Sequence, residues 1–340
     1  SRLVRKLTAR GEAVRCLARS TSVRSNLEGL PVEIVTGDLQ DAESLRAAVR
    51  GCRRVFHVAA DYRLWSRNPD ELYRNNVDGT RNLLAAARAE GCERIVYCST
   101  VGALGIPGTG EPGTERTPVT LADMVGHYKR SKFLAEQAAL EAAQDGAPVV
   151  IVNPSTPVGP NDVKPTETGR IITRFLKDQM PLYLDTGLNL VDVDDVAEGH
   201  LLAAERGRIG EKYILGNRNM TLEEILHCLA ALTGKQPPRG RIPYGAALGI
   251  ARLNTFFMGT LLGREPGIPE EGVRMARKRM FFDPGKAVRE LGLPQTPVEE
   301  ALERAVRWFC THGYAPTPPR LAAAAHSGGG PATRHARGNE

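Results

Sequence analysis

The chain has 340 residues, 41% of them apolar and 25% charged, with a formal net charge of +6. That is globular composition, long enough for one large domain or for a domain with an added lobe. It holds no long run of Lys or Arg and no basic stripe with interleaved aromatics, which excludes nucleic acid as an expected partner. No run of 18 apolar residues occurs and no signal peptide is visible. The six cysteines are scattered without a CxxC pair, which fits reduced thiols in the cytosol better than a disulfide framework or a zinc site.

In chain order, VRCLAR (14–19), VEIVTGD (32–38), RRVFHVAA (53–60), RIVYCST (94–100) and VVIVNPS (149–155) are short apolar runs that predict strands. Helical patterns lie between them over 41–49, 69–90 and 121–144. Strands apolar on both faces, each followed by a helix, predict an α/β fold with a doubly wound parallel sheet over residues 1–165. Ligands of such a sheet bind at the carboxyl ends of its strands. From 166 to 314 the texture changes. Segments 169–179, 221–234 and 245–259 read as helices among dense Gly/Pro punctuation, predicting a smaller, mostly helical substrate lobe with segments returning to the sheet. Residues 315–340 are of low complexity and are expected to be a disordered tail.

The stretch VGHYKRSKFLAE puts Tyr128 four residues before Lys132, on one helix face. A nearby ammonium favours phenolate, so Lys132 is expected to lower the Tyr128 pKa from about 10. A phenol so tuned can give or take a hydroxyl proton. Strand 94–100 ends in Ser99-Thr100, which the sheet would place at its carboxyl edge near that pair. A hydroxyl, a phenol and an ammonium suit proton movement while a cofactor moves a hydride. His57 has no second ligand nearby and is expected to pack at a strand end rather than bind metal.

GDLQD (37–41), HVAAD (57–61), NNVDGTRNLL (75–84), YCSTVGALG (97–105), YKRSK (128–132) and NPSTPVGP (153–160) together resemble the extended short-chain dehydrogenases/reductases, Rossmann-type enzymes. The resemblance spans residues 1 to about 313. Within that group, the stretches beginning NPSTPVGPNDVK and YLDTGLNLVDVDDVAEGH are similar to hopanoid-associated sugar epimerases, bacterial relatives of dihydroflavonol 4-reductase. The resemblance implies that Thr100 is the catalytic hydroxyl, with Ser99 as its alternate, and that Tyr128 is the acid/base. Lys132 would tune it and hold the nicotinamide ribose, with Asn76 in support. Asp38 and Leu39 would flank the adenine, Ala59 and Ala60 would line the cofactor's path, and Pro154 and Ser155 would meet the nicotinamide. Asp38 equally suits a helix cap, and Asn76 a buried hydrogen-bonder. Homodimerisation through helices 69–90 and 121–144 is also implied by analogy.

Strand 14–19 ends in Arg19-Ser20 rather than a carboxylate. A guanidinium suits a 2′-phosphate, which favours NADP over NAD. Two features depart from the family pattern. The chain opens on SRLVRKLTARGEAV, read as mid-helix, without the first strand and glycine-rich turn that cradle a pyrophosphate. It is therefore expected to be a fragment with two unpaired strand edges and weakened cofactor binding. In addition, Leu188 stands where epimerases of nucleotide sugars carry an arginine, which weakens the nucleotide-sugar reading and favours an apolar or less phosphorylated small-molecule substrate, a sugar-bearing one staying open. Segment 244–263 is apolar but carries Arg252 and Asn254, so it fits a packed helix, a pocket wall or contact with a membrane surface, not a span. Three readings remain: an NADP-dependent ketone/alcohol oxidoreductase, a sugar epimerase or dehydratase with retained NAD, and a dinucleotide-binding regulator without catalysis. The Tyr/Lys pair argues against the last.

Overall fold

The computed structural model describes residues 1–321. Helix α1 (Arg2–Ala9) leads to strands β1 (Val14–Ala18) and β2 (Val32–Thr36), helix α2 (Ala42–Val49) and strand β3 (Arg54–His57). Helix α3 (Asp70–Tyr73) runs through a π-turn (Arg74–Asp78) into α4 (Gly79–Ala89), so the expected helix over 69–90 is one rod with a bulge. Then follow β4 (Arg94–Cys98), α5 (Gly126–Gln144), β5 (Val149–Pro154), β6 (Thr156–Val158) and α6 (Glu167–Leu176). Next come β7 (Leu182–Tyr183), β8 (Gly187–Asp192), α7 (Val193–Arg206), β9 (Lys212–Leu215), β10 (Arg218–Thr221), α8 (Leu222–Thr233) and β11 (Gly240–Arg241). Four helices follow: α9 (Tyr244–Asn254), α10 (Glu270–Met275), α11 (Gly285–Leu291) and α12 (Val298–Thr311).

The fold is α/β, with a Rossmann-type doubly wound parallel sheet and a smaller, mostly helical C-terminal part. Strands β3-β4-β5-β9 form its central parallel sheet in that order. The reason lies in the alternation along β4 and β5. Ile95, Tyr97, Val149 and Ile151 face α4 and α5 through Leu83, Leu84, Ala135 and Ala139. Val96, Val150 and Val152 face α7 and α11 through Val196, Ala203, Ala287 and Leu291. Both faces are apolar, so both must be covered, and a parallel sheet wrapped by helices does this. Strand β9 adds to the sheet from beyond residue 166. A separate apolar cluster joins β6 and β8 to α6, α8 and α12 around Leu190, Phe175, Leu229 and Phe309.

Strands β1 and β2 pair in parallel with each other. Among the described residues, the facing edges of β1 and β3 are both unpaired. Residues 315–321, expected in the tail, pack on the fold. Ala315 is buried, Leu321 packs on the α6–α8–α12 cluster and the Arg320 guanidinium donates to the Ala231 carbonyl. The rest of the expected tail lies outside the described residues.

Candidate active site

Helix α5 starts at Gly126 because its φ of +79° suits glycine alone, and an added Cβ would strike the Glu271 carboxylate. This start puts Tyr128 in the first turn, half-buried, at the carboxyl edge of β4. Thr100 follows β4 in extended backbone. Its Oγ1 accepts from the Gly102 N–H at 3.1 Å, and its hydroxyl stands beside the Tyr128 phenol. Lys132, one turn along α5, is buried. Its Nζ donates to Tyr97 OH at 3.0 Å and to the Cys98 carbonyl at 2.9 Å, and lies 4.8 Å from the Tyr97 ring centroid.

The electrostatics differ from the sequence expectation in one respect. Burial raises the Tyr128 pKa above its ordinary value, outweighing the lowering exerted by Lys132 and Thr100. The lysine acts in the expected direction, but a phenol at a packed helix start loses more solvation than one ammonium restores. Ser99, the alternate hydroxyl, is buried and donates to Glu136 Oε2 at 2.5 Å. It faces away from Tyr128 into a polar network, whereas Thr100 faces the phenol.

Asn76 lies in the π-turn, a distortion common at functional sites. It is buried and bridges two segments. Its Oδ1 accepts from the Asp61 N–H at 2.7 Å, and its Nδ2 donates to the Asp61 carbonyl and to Ser131 Oγ, both at 2.9 Å. Ser131 in turn donates to the Tyr128 carbonyl at 2.8 Å. Asn76 thus ties the loop after β3 to the turn that carries the phenol.

A cleft of about 1750 Å³ opens along the carboxyl edge of β1–β3 and runs down between the facing edges of β1 and β3. Much of that volume is the gap between these two edges, unpaired among the described residues, and is lined by residues 13–17 and 51–55. Arg19, Asp38, Leu39, Ala59 and Ala60 all line it. Arg19 is exposed and its side chain makes no ion pair among the described residues. Asp38 accepts from the Gln40 N–H at 3.0 Å, so it also shapes its own turn. Pro154 and Ser155 end β5 outside this cleft. Ser155 Oγ is buried with no hydrogen-bond partner among the described residues. At the carboxyl ends of β1–β3, where a sheet of this kind binds its ligand, Arg19, Asp38, Leu39, Ala59 and Ala60 share one rim of the cleft. His57 packs as expected: Nε2 lies 2.9 Å from Thr80 Oγ1 and the ring is 5.4 Å from that of Tyr97.

Sequence reasoning missed the network behind the site. Glu136 is buried, receives Ser99 Oγ and Asn153 Nδ2 (2.7 Å), and pairs with Lys212 at 3.4 Å. Asn153 also donates to the Thr100 carbonyl at 3.1 Å. The signal was present: Tyr128, Lys132 and Glu136 recur every fourth residue, so a second charge shares the buried face of α5. Lys129 was also missed. It is largely buried beside Met280 Sδ (3.7 Å), and burial lowers its pKa to about 8.

Residues 1–216 match the model of the NAD dependent epimerase/dehydratase family. A protein of Synechocystis sp. that carries the name of a dihydroflavonol 4-reductase is 49% identical over 319 residues, covering 93% of this chain and 92% of its own. Sterol demethylase protein B of Methylococcus capsulatus is 36% identical, covering 92% and 95%. The crystal structure of a nucleoside-diphosphate-sugar epimerase from Pseudomonas aeruginosa superposes with a TM-score of 0.76 at 28% identity, over 92% of this chain and 94% of that one. The chain is therefore a member of the NAD dependent epimerase/dehydratase family of extended short-chain dehydrogenases/reductases, an NAD(P)-dependent enzyme.

Proposed function

We propose that the protein reduces a ketone to an alcohol, or runs the reverse reaction, with NADP as the preferred cofactor. The observation that carries this reading is the meeting of the Thr100 hydroxyl, the Tyr128 phenol and the buried Lys132 ammonium at the edge of β4. When bound, the nicotinamide supplies or accepts the hydride. The chain's own residues do the rest. Thr100 orients the carbonyl oxygen by donating a hydrogen bond. Tyr128 donates a proton to that oxygen as negative charge builds on it, and takes it back in the reverse direction. Lys132 stabilises the phenolate that results. It has one donor left after Tyr97 and Cys98, which suits the ribose of the cofactor. Arg19 and the cleft residues Asp38, Leu39, Ala59 and Ala60 hold the adenosine half, and Pro154 and Ser155 the nicotinamide end.

Leu188, half-buried in β8 opposite Met220, offers no cation for a sugar diphosphate. The similarity to sterol demethylase protein B supports an apolar substrate, while the similarity to a sugar epimerase keeps epimerisation as the second reading. Initial rates of NADPH and NADH consumption over a panel of apolar ketones separate the two, since an epimerase returns its hydride and consumes neither. Tyr128→Phe is expected to lower kcat by about 10²–10⁴-fold while leaving NADPH fluorescence titration unchanged. Turnover that survives this substitution rules out Tyr128 as the proton donor.

A further inference from the structure

Helix α9 and its π-helical continuation (Thr255–Leu261) are built inside out. A helix on a soluble surface turns its large apolar side chains inward. Here the fully buried residues are the small Ala247 and Ala251, with Tyr244 and Leu248 packed beside them, while Ile250, Leu253, Phe256, Phe257, Leu261 and Leu262 are 49% to 61% exposed. Seven of the fifteen exposed large apolar side chains among the described residues fall between 250 and 268, so they form a patch and not the usual scatter. Within that stretch stand Arg252, Arg264 and one carboxylate, Glu265, which is paired with Arg170 at 3.7 Å. Arg252 leans on Glu270 (3.2 Å), while the exposed Arg277 and Lys278 just beyond make no ion pair among the described residues.

The patch adjoins the site. Trp65, in the loop after β3, lies against Gly259, and Leu64 against Gly272 in α10. Helix α10 packs on α9, and its Glu271 stands against Gly126, two residues before Tyr128. The helix with the apolar face therefore flanks the mouth beside Tyr128.

We propose that residues 250–262 dock on the surface of an anionic lipid bilayer, bringing the mouth of the site to the headgroup level where a lipid-dissolved ketone or alcohol can enter. The second half rests on the oxidoreductase reading. The apolar stripe would bury itself at the acyl boundary while Arg264, Arg277 and Lys278 meet anionic headgroups. No helix among the described residues is long and apolar enough to cross a membrane, so this is contact with one leaflet. A second copy of the chain is the competing occupant, but a twofold contact would bring unpaired cations together.

The test is co-sedimentation of the full chain with vesicles of phosphatidylcholine alone or with added phosphatidylglycerol, at low salt and at about 0.5 M NaCl. The double variant Leu253→Asp/Phe257→Asp is run alongside, its fold checked by circular dichroism and its mass in solution by light scattering. Binding to phosphatidylglycerol vesicles that falls with salt, and by about tenfold or more in the variant, supports docking. A chain that stays in the supernatant, or a variant that binds as well, overturns it. A lipid-indifferent dimer that the variant converts to monomer also overturns it and assigns the patch to a second copy. Reduction of a short, water-soluble ketone without lipid is measured on both chains. Its absence in both would sink the oxidoreductase reading while leaving the vesicle result standing.

Discussion

Glu136 shows how one buried carboxylate can govern a site it does not touch. It accepts from Ser99 and Asn153 and faces Lys212, and Asn153 passes the constraint to Thr100. Glu136→Ala would strand two donors in the core and leave the half-buried Lys212 without its partner, so a loss of about 2–4 kcal/mol in urea unfolding is expected, with Glu136→Gln costing less. An alanine variant as stable as the parent would show that these groups find other partners. His57 sets a pH dependence. Burial first, and Lys132 second, depress its pKa from 6.5 to about 3. The unfolded chain then binds a proton between those limits that the folded chain refuses, so stability is fully present above pH 6.5 and falls with pH toward 3. The slope approaches 1.4 kcal/mol per pH unit. His57→Phe should flatten that slope in denaturation curves taken at pH 7 and pH 4.5; an unchanged slope would assign it to other groups.

At the scale of elements, α1 and α7 are joined by charge. Arg2 pairs with Asp194, Lys6 with Glu198, and Arg10 with Glu198 and Glu205, so the cations recur every fourth residue and meet carboxylates along α7. These side chains are partly exposed, so each pair contributes roughly 0.2–1 kcal/mol and is screened by salt. Leu7 is the one buried apolar side chain of α1. Amide exchange across α1 is therefore expected to speed up several-fold between low salt and about 1 M NaCl while that of α5 does not change. Equal behaviour of the two helices would show that packing, not charge, holds α1.

The whole molecule divides its stability unevenly. Strands β4 and β5 are buried along nearly their whole length, whereas β1 and β2 are half-exposed and, among the described residues, pair as strands only with each other. Local opening follows buried contact, so the β1–β2 pair is expected to exchange its amides well before β4 and β5. NADPH at saturation should slow exchange in the β1–β2 pair, because Arg19, Asp38 and Leu39 line the cleft beside it. Uniform exchange across all strands would mean that the sheet opens as one unit.

The sequence by itself determined the α/β class and the parallel sheet, because doubly apolar runs separated by helical periods have few other solutions. It also determined the Tyr128–Lys132 pairing, because four residues on a helix is a fixed distance. Helix ends were legible to within a few residues where a cap is local, as at Asp41 and at Thr221 with Glu224. Strands β8, β9 and β10 were not legible, since Asn189, Asp192, Lys212, Arg218 and Asn219 break the continuous apolar runs that mark β4 and β5. The resemblance already preferred Thr100 to Ser99; only the tertiary structure shows the Ser99 hydroxyl turned to Glu136, because adjacent residues leave a strand on opposite sides and burial says which side holds the carboxylate. Only it reversed the direction of the Tyr128 pKa, because desolvation depends on everything packed around a phenol and not on the lysine four residues away. And only it showed that the apolar residues of α9 face outward, since the sequence lists side chains without saying which way the helix is turned.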